Sequence, residues 1–448
     1  MLDINLIRRE PELVRELLAR KGWQVDFTDL LANDQRRRNM MHENETLKAE
    51  RNRVSSEIPK LKKQGADTTE IFENMRQLGD QIKANDEVID KLQQEQTTFI
   101  ASLPNLPAED VIAGGKENNQ VIHTHGEKPQ FDFTPKNHVE LAESLNLVDF
   151  VRGVKLSGSG FWLYKGLGAQ LEWAMINYFI SEHIKDKYQM IMPPHLLNYE
   201  SGFTAGQFPK FEEDVFTLQQ RRGMGSAEQI AKEKERDEEA MAQHGFKHFL
   251  GPTAETALVN MHRDEILDAE QLPLKYFAYT PCYRSEAGSY RAEERGTIRG
   301  HQFNKVEIFQ YTLPELADEA LQEMINKAEK LVQGLELHYR LSKLAAEDCS
   351  HSMRKTLDIE VWIPSINEYK EVSSASWAGD YQARRGNIRY RRPDGKKSEY
   401  AHTLNASGLA TSRILPALLE QHQQADGSVY VPKVLRPYLN GLEYIKTE

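Results

Sequence analysis

PLKYFAYTPCYRSEA (Pro273–Ala287), GSYRAEERGTIRG (Gly288–Gly300) and HQFNKVEIFQYT (His301–Thr312) follow one another without interruption. The first and third alternate apolar and polar side chains at period two, and the second is charged and marked by glycines, so the stretch reads as strand, long polar loop, strand. An antiparallel pair this long predicts a large antiparallel sheet. It sets Arg284 and Glu286 at the end of one strand, facing Phe303 and Glu307 on the other. A cation, carboxylates and an aromatic plate then converge where a charged planar ligand can sit. A salt-bridged surface hairpin is the bland reading of either half alone.

At 448 residues the chain has room for two to three domains and a sizeable core. Its 39% hydrophobic and 28% charged residues describe an ordinary soluble protein. No apolar run approaches the ~20 residues of a membrane span, and MLDINLIRREPELV lacks the layout of a signal peptide, so a cytoplasmic protein with no membrane partner is expected. Cys282 and Cys349 make neither a disulfide framework nor a cysteine-rich zinc site credible. A net charge of −11 argues against nonspecific coating of nucleic acid, so an RNA partner must meet local basic patches.

From about Asp34 to Leu103 the chain reads as two long helices with a turn at Gln64–Asp67. A heptad frame in the second places Ile71, Leu78, Asn85, Leu92 and Phe99 at one seam position and Met75, Ile82, Ile89, Gln96 and Leu103 at the other. Met40, Leu47, Val54 and Ile58 or Leu61 match them in the first, which predicts an antiparallel hairpin on the order of 45 Å long. Asn85 reads as a register device, and Pro59 as a break or kink near the tip. Arg36, Arg37, Arg38, Lys48, Arg51, Arg53, Lys60, Lys62, Lys63 and Lys83 face out, as a solvated surface or as an RNA-contacting arm.

Pro104, Pro107 and Gly114-Gly115 end the helical region, giving domains 1–115 and 116–448. GLGAQLEWAMINY (Gly166–Tyr178) opens a helix reaching about His183, followed by a strand Tyr188–Met192 and Pro193-Pro194. Residues 219–246 are nearly all polar and read as an exposed helical insertion. Thr253 stands where it would cap a helix TAETALVNMHRDEIL. LDIEVWIPS reads as a strand, Pro393-Asp394-Gly395 as a hairpin turn, and SEYAHTLNASGLATSRILPALLEQ as a strand ending near Leu404, a glycine turn and a helix bearing Arg413.

The helix, strand and proline after Gly166, the Arg284-Ser285-Glu286 to Glu307 stretch and the Arg413 helix resemble motifs 1, 2 and 3 of class II aminoacyl-tRNA synthetases. Thr253-Ala254-Glu255, Glu371-Val372-Ser373-Ser374, QARR and Leu404-Asn405 through Ser407-Gly408-Leu409-Ala410 narrow the resemblance to the seryl-tRNA synthetase family, over essentially the whole chain. The resemblance implies an α+β fold: an antiparallel sheet flanked by helices, preceded by the helical arm. It also implies a homodimer that joins serine to ATP with Mg²⁺ and transfers it to tRNA(Ser), tRNA(Sec) being a further acceptor. Arg284, Glu371 and Arg413 would be catalytic. Thr253, Ala254, Glu255, Arg284, Glu307 and Ser407 would bind serine. Arg284, Ser285, Glu286, Arg299, Gly300, Phe303, Glu371, Val372, Ser373, Ser374 and Arg413 would bind ATP, and Glu371 and Ser374 the metal. The tRNA would meet the arm at Arg36, Arg37, Arg38, Lys48, Arg51, Arg53, Lys60, Lys62 and Lys63. The residue types suit the chemistry: the attacking carboxylate is already ionised, so positioning and charge neutralisation replace a general base. Trp377 departs from the family's small or polar run after Ser374; it either packs or reshapes the pocket lip, as in an inhibitor-resistant paralogue. A serine:carrier-protein ligase is the other alternative, and the arm argues against it.

Overall fold

The computed structural model describes every residue except 66, 219–240, 242–243, 287–295, 396 and 448. The chain divides into two compact units, one of Leu2–Ala19 and Trp23–Pro104, the other of Met1, Arg20–Gly22 and Asn105–Glu448. The charged insertion expected over 219–246 lies, apart from Met241 and His244 to Phe246, outside the described residues.

In the smaller unit, helices α1 (Thr28–Lys63) and α2 (Thr69–Ser102) form the hairpin. Their partners run in opposite directions: Asp34 meets Gln96, Asn44 meets Asp86, and Lys62 lies over Phe72. All ten expected seam positions, nine in α2 and Leu103 just beyond its end, are buried or half-buried. Pro59 does not break α1, which continues to Lys63. The proline is exposed, so water can satisfy the carbonyl it leaves without a donor. The register device is also not Asn85. Asn44, buried at 2% exposure, donates to Asp86 Oδ1 at 2.6 Å, and Lys48 reaches the same oxygen at 3.0 Å. At the open end, Asp34 is buried and accepts from Arg8 Nε, Arg8 Nη2 and Gln96 Nε2 at 2.6, 2.8 and 2.8 Å.

The larger unit is built on an eight-stranded sheet. Its strands are β1 (Gln120–His125), β2 (Gln189–Ile191), β3 (Leu274–Tyr283), β4 (Gln302–Thr312), β5 (Tyr339–Lys343), β6 (Lys355–Ile363), β7 (Glu368–Gly379) and β8 (His402–Ala410). They lie in the order β1-β5-β6-β7-β8-β4-β3-β2, antiparallel throughout except for β2 beside β3. Along the second half of β7 the side chains sort by face: Val372, Ala375 and Trp377 enter the apolar core, while Glu371, Ser374 and Ser376 line a cleft. Helices α3 (Leu167–Lys185), α4 (Ala317–Gly334) and α5 (Thr411–Gln421) supply the rest of that core, α4 through Ala317, Leu321, Met324, Ala328 and Leu331 at helical spacing. Each such leucine or methionine contributes roughly 1.5–3 kcal/mol by leaving water. The opposite face carries a second apolar cluster at one end, around Tyr276, Phe309 and Tyr311, and polar groups over the rest.

Two register shifts decide which residues share that polar face. Glu371 pairs with Glu360 and Ser373 with Ile359, so Val372 is an extra residue on β7. Glu307 pairs with Ser407 while Lys305 pairs with Ala410, so β8 carries an extra residue at Gly408-Leu409. For that reason β8 does not end near Leu404 in a glycine turn but stays in the sheet to Ala410. At Gly408 a Cβ would stand 2.3 Å from His183 Nε2, a close approach only glycine permits.

The helix expected from Thr253 is a single turn, Glu255–Leu258. Asp264 adopts φ +63° and donates its N–H to the Gly386 carbonyl, and Ile266–Asp268 pairs in parallel with Arg389–Arg391. Strand pairing thus overrides the helical propensity of the segment. The Pro393-Asp394 turn does join paired strands, Arg389–Arg391 and Glu399–Tyr400. Both cysteines are buried and free.

Candidate active site

A cleft of about 1230 Å³ crosses the polar face of the sheet. Ten of the expected residues line it: Thr253, Glu255, Arg284, Glu286, Arg299, Glu307, Glu371, Ser374, Ser407 and Arg413. They come from β4, β7, β8, the turn before Glu255, the segment after β3 and the first turn of α5.

At one end stands Glu307, fully buried. Lys305 Nζ lies 2.6 Å from its Oε2, Asn405 Nδ2 donates to its Oε1 at 2.9 Å, and the Ser407 hydroxyl donates at 3.4 Å. Glu255 is the second carboxyl here, held by Gln382 Nε2 at 2.7 Å, and Gln382 is fixed in turn by the Thr403 hydroxyl at 2.6 Å. Burial, with Glu307 adding repulsion, pushes Glu255 up to about 7. Two carboxyls sharing one lysine favour a ligand that brings a cation of its own. Thr253 Oγ1 accepts from the Glu255 N–H at 3.3 Å, so it orders this corner without capping a longer helix.

Cations stand along the rest of the cleft. The Arg284 guanidinium lies 5.3 Å from the centre of the Phe303 ring. Arg299 Nη2 pairs with Glu286 Oε2 at 2.5 Å. Arg413 Nη1 donates to the Glu371 carbonyl at 2.9 Å and stands 3.5 Å from that residue's carboxylate. Beside Glu371 and Ser374, Asp358 is buried, with Oδ1 making no hydrogen bond among the described residues. Burial, and next the Glu371 charge, hold its carboxyl well above the usual range. Among the described residues no three His, Cys, Asp or Glu side chains close a metal cage. One or two carboxylates plus substrate phosphates is the donor set Mg²⁺ takes, so Glu371, Ser374 and the unsatisfied Asp358 oxygen fit it.

Six expected residues do not line the cleft. Val372 and Ser373 fall on the core side of the bulge, with Ser373 Oγ donating to the Ser407 carbonyl at 2.6 Å. Ala254 is buried in a second apolar cluster. Ser285 Oγ donates to the Glu213 carbonyl at 2.9 Å, tying the strand end to the short 3-10 helix Glu212–Asp214. Gly300 packs so closely that a Cβ would stand 2.1 Å from the Trp162 ring. Phe303 lies with its ring under the Arg284 guanidinium. Trp377 packs: it is 9% exposed, its Nε1 donates to His402 Nδ1 at 3.3 Å, and Arg354 covers its ring at 4.6 Å. Sequence reasoning missed Lys305, Asn405, Gln382 and Asp358. Period two on β4 and β8 puts Lys305 with Glu307 and Asn405 with Ser407, a signal that was available; Gln382 and Asp358 needed tertiary pairing.

On the helical hairpin, Arg37, Lys48 and Arg53 are engaged by Asp34, Asp86, and Glu50 with Glu57. Arg36, Arg38, Lys60, Lys62 and Lys63 are exposed.

Residues 1–107 match the family model for the seryl-tRNA synthetase N-terminal domain, and residues 241–422 that for the tRNA synthetase class II core domain (G, H, P, S and T). The chain is 59% identical over 440 residues to a protein of Clostridium acetobutylicum named serine–tRNA ligase 2, covering 98% of this chain and 99% of that one. It is 42% identical to a serine–tRNA ligase of Desulfitobacterium hafniense, over 99% of this chain and 100% of the other. Its fold matches the crystal structure of seryl-tRNA synthetase from Pyrococcus horikoshii complexed with ATP, with a TM-score of 0.87, 33% identity and 100% of both chains covered.

Proposed function

The chain belongs to the seryl-tRNA synthetase family, and on that premise we propose how its cleft divides the work of serine activation. The enzyme is a serine–tRNA ligase. A serine carboxylate oxygen attacks the α-phosphorus of ATP, pyrophosphate leaves, and a terminal hydroxyl of tRNA(Ser) then takes the seryl group from the adenylate and releases AMP. tRNA(Sec) is read as a second acceptor.

The buried Glu307 with its Lys305, Asn405 and Ser407 partners, beside Glu255, carries the assignment of the amino-acid end. It offers carboxylates to an ammonium group and hydrogen-bonding partners to a hydroxyl. A site built to satisfy a hydroxyl rejects alanine by leaving those groups unpaired. Arg284 neutralises charge on the serine carboxylate and α-phosphate, Arg413 holds the γ-phosphate, Arg299 supports the phosphates, and Phe303, outside the cleft lining as the structure stands, meets the adenine once Arg284 turns to the phosphate. Mg²⁺, held by Glu371 and Ser374, would supply further charge neutralisation at the phosphates.

The domains are assigned as an arm over 1–115, reaching tRNA through its exposed basic side chains, and a catalytic domain over 116–448. A homodimer is supported by the large apolar side chains left exposed at Val151, Leu156, Trp173 and Met192. No helix among the described residues is long and apolar enough to cross a membrane, and the reading places the enzyme in the cytoplasm. ATP–pyrophosphate exchange across the standard amino acids tests the assignment. Serine alone should support strong exchange, and comparable exchange with threonine or proline overturns it. Arg284→Ala should abolish most exchange while leaving the protein folded.

A further inference from the structure

Glu172 lies inside α3, 4% exposed, and the chemistry above does not use it. Its Oε1 accepts from the Asn304 side-chain amide at 2.8 Å and from the Thr411 hydroxyl at 2.5 Å. Asn304 sits on β4 between Phe303 and Lys305. Thr411 is the first residue of α5, two before Arg413. One carboxyl oxygen on a helix outside the cleft thus ties together the strand and the helix that carry the nucleotide-facing groups.

The two tied elements differ in how else they are held. Strand β4 is bonded along both edges, to β3 and to β8, so Lys305 and Glu307 keep their places without Asn304. The start of α5 leaves that ladder at Ala410, the partner of Lys305, and Arg413 itself donates to the Ile298 and Glu371 carbonyls at 3.3 and 2.9 Å. Among the described residues Thr411 Oγ1 reaches, besides Glu172, the Asn304 carbonyl at a longer 3.2 Å, and Thr297 Oγ1 donates to the Ser412 carbonyl at 2.8 Å. We propose that Glu172 is a positioning residue for the nucleotide: by anchoring Thr411 it sets the first turn of α5 and hence the reach of Arg413. The inference rests on the reading of Arg413 as an ATP-binding group. A carboxyl so placed makes strong hydrogen bonds because water does not compete; burial lifts it to about 7, and the bonds from Thr411 and Asn304 oppose that rise.

The test is steady-state ATP–pyrophosphate exchange on the full-length protein, with KM for ATP and for serine measured separately alongside a thermal melt. Glu172→Leu should raise KM for ATP about tenfold, the loss of roughly one charge-assisted hydrogen bond, with KM for serine within about twofold. Glu172→Gln keeps an acceptor oxygen and should restore KM for ATP to within about threefold. Thr411→Val, which removes the anchored hydroxyl at constant shape, should move KM for ATP in the same direction and gives the answer should the leucine variant fail to fold. Equal rises in both KM values, or a lower melting temperature with KM for ATP unchanged, overturn the proposal. Arg413→Ala is the separate control: if it leaves KM for ATP unchanged, the reading of Arg413 fails and not the anchoring by Glu172.

Discussion

Lys305 and Glu307, two residues apart on β4, turn to the same face of the sheet and meet at 2.6 Å, both almost wholly buried. Glu255 stands close enough for its carboxyl to be raised by the Glu307 charge. The lysine therefore balances a pair of acids in the wall of the cleft, and on the proposed reading a serine ammonium is the second cation that pair accepts.

Lys305→Met leaves both acids without that cation, which should cost about 3 kcal/mol of stability. Saturating serine should then raise the melting temperature of the variant by more than it raises that of the parent, because the ammonium replaces the lost charge. Equal shifts in the two proteins would show that serine binds elsewhere.

Glu255 gives a pH dependence of known sign. Its folded-state pKa of about 7 lies above the ordinary carboxylate value, so between the two the folded protein holds a proton the unfolded chain has lost. The resulting stabilisation is full below the ordinary carboxylate pKa and is lost as pH rises through about 7. The stability of the parent relative to Glu255→Gln should fall over that window by at most about 3 kcal/mol; Glu172, raised in the same way, cancels in the difference. An ammonium needs the ionised form, so KM for serine should fall as pH rises from about 6 to about 7.5. A flat profile would rule out a proton shared at this site.

Trp377 faces the core between Leu404 and Lys355. Trp377→Asn should cost about 3–5 kcal/mol in chemical denaturation while leaving KM for serine and the affinity for nonhydrolysable seryl-adenylate mimics unchanged. A change in mimic affinity without a loss of stability would restore the tryptophan to the pocket lip.

Replacing Asn39 to Ile100 by a short glycine-serine linker should leave serine-dependent exchange within several-fold of the parent, while transfer to tRNA falls by orders of magnitude through lost affinity. Lys60, Lys62 and Lys63 changed together to Glu should weaken tRNA binding less completely, with a shallower salt dependence. Normal charging by the armless protein would make the hairpin a structural element.

The hairpin and the β3–β4 pair were legible because a heptad and a period of two report one buried face directly, and Ile82, Leu92, Val306 and Ile308 are all in fact buried. What failed to show was set by partners distant in sequence. The segment after Glu255 has helical spacing, but Ile266–Asp268 is claimed by Arg389–Arg391. Asn85 occupies a seam position, yet it is Asn44 that makes a hydrogen bond across the hairpin, to Asp86, while Asn85 Nδ2 makes none among the described residues. Val372 and Ser373 belong to the same short motif as Glu371 and Ser374, and one inserted residue sends them to the other face.

That inserted residue at Val372 also acts as a reading frame. In a regular strand, positions three apart point to opposite faces, so Glu371 and Ser374 would be separated by the thickness of the sheet. With the extra residue the spacing Glu-x-x-Ser brings both to one side. A related chain that shortens the spacing to Glu-x-Ser can keep the pair together only by giving up the bulge, and one that keeps Glu-x-x-Ser while straightening the strand must send the two side chains to opposite faces. Length and backbone shape are inherited here as one character: a single-codon deletion at Val372, which removes the extra residue itself, should leave Glu371 and Ser374 on one face.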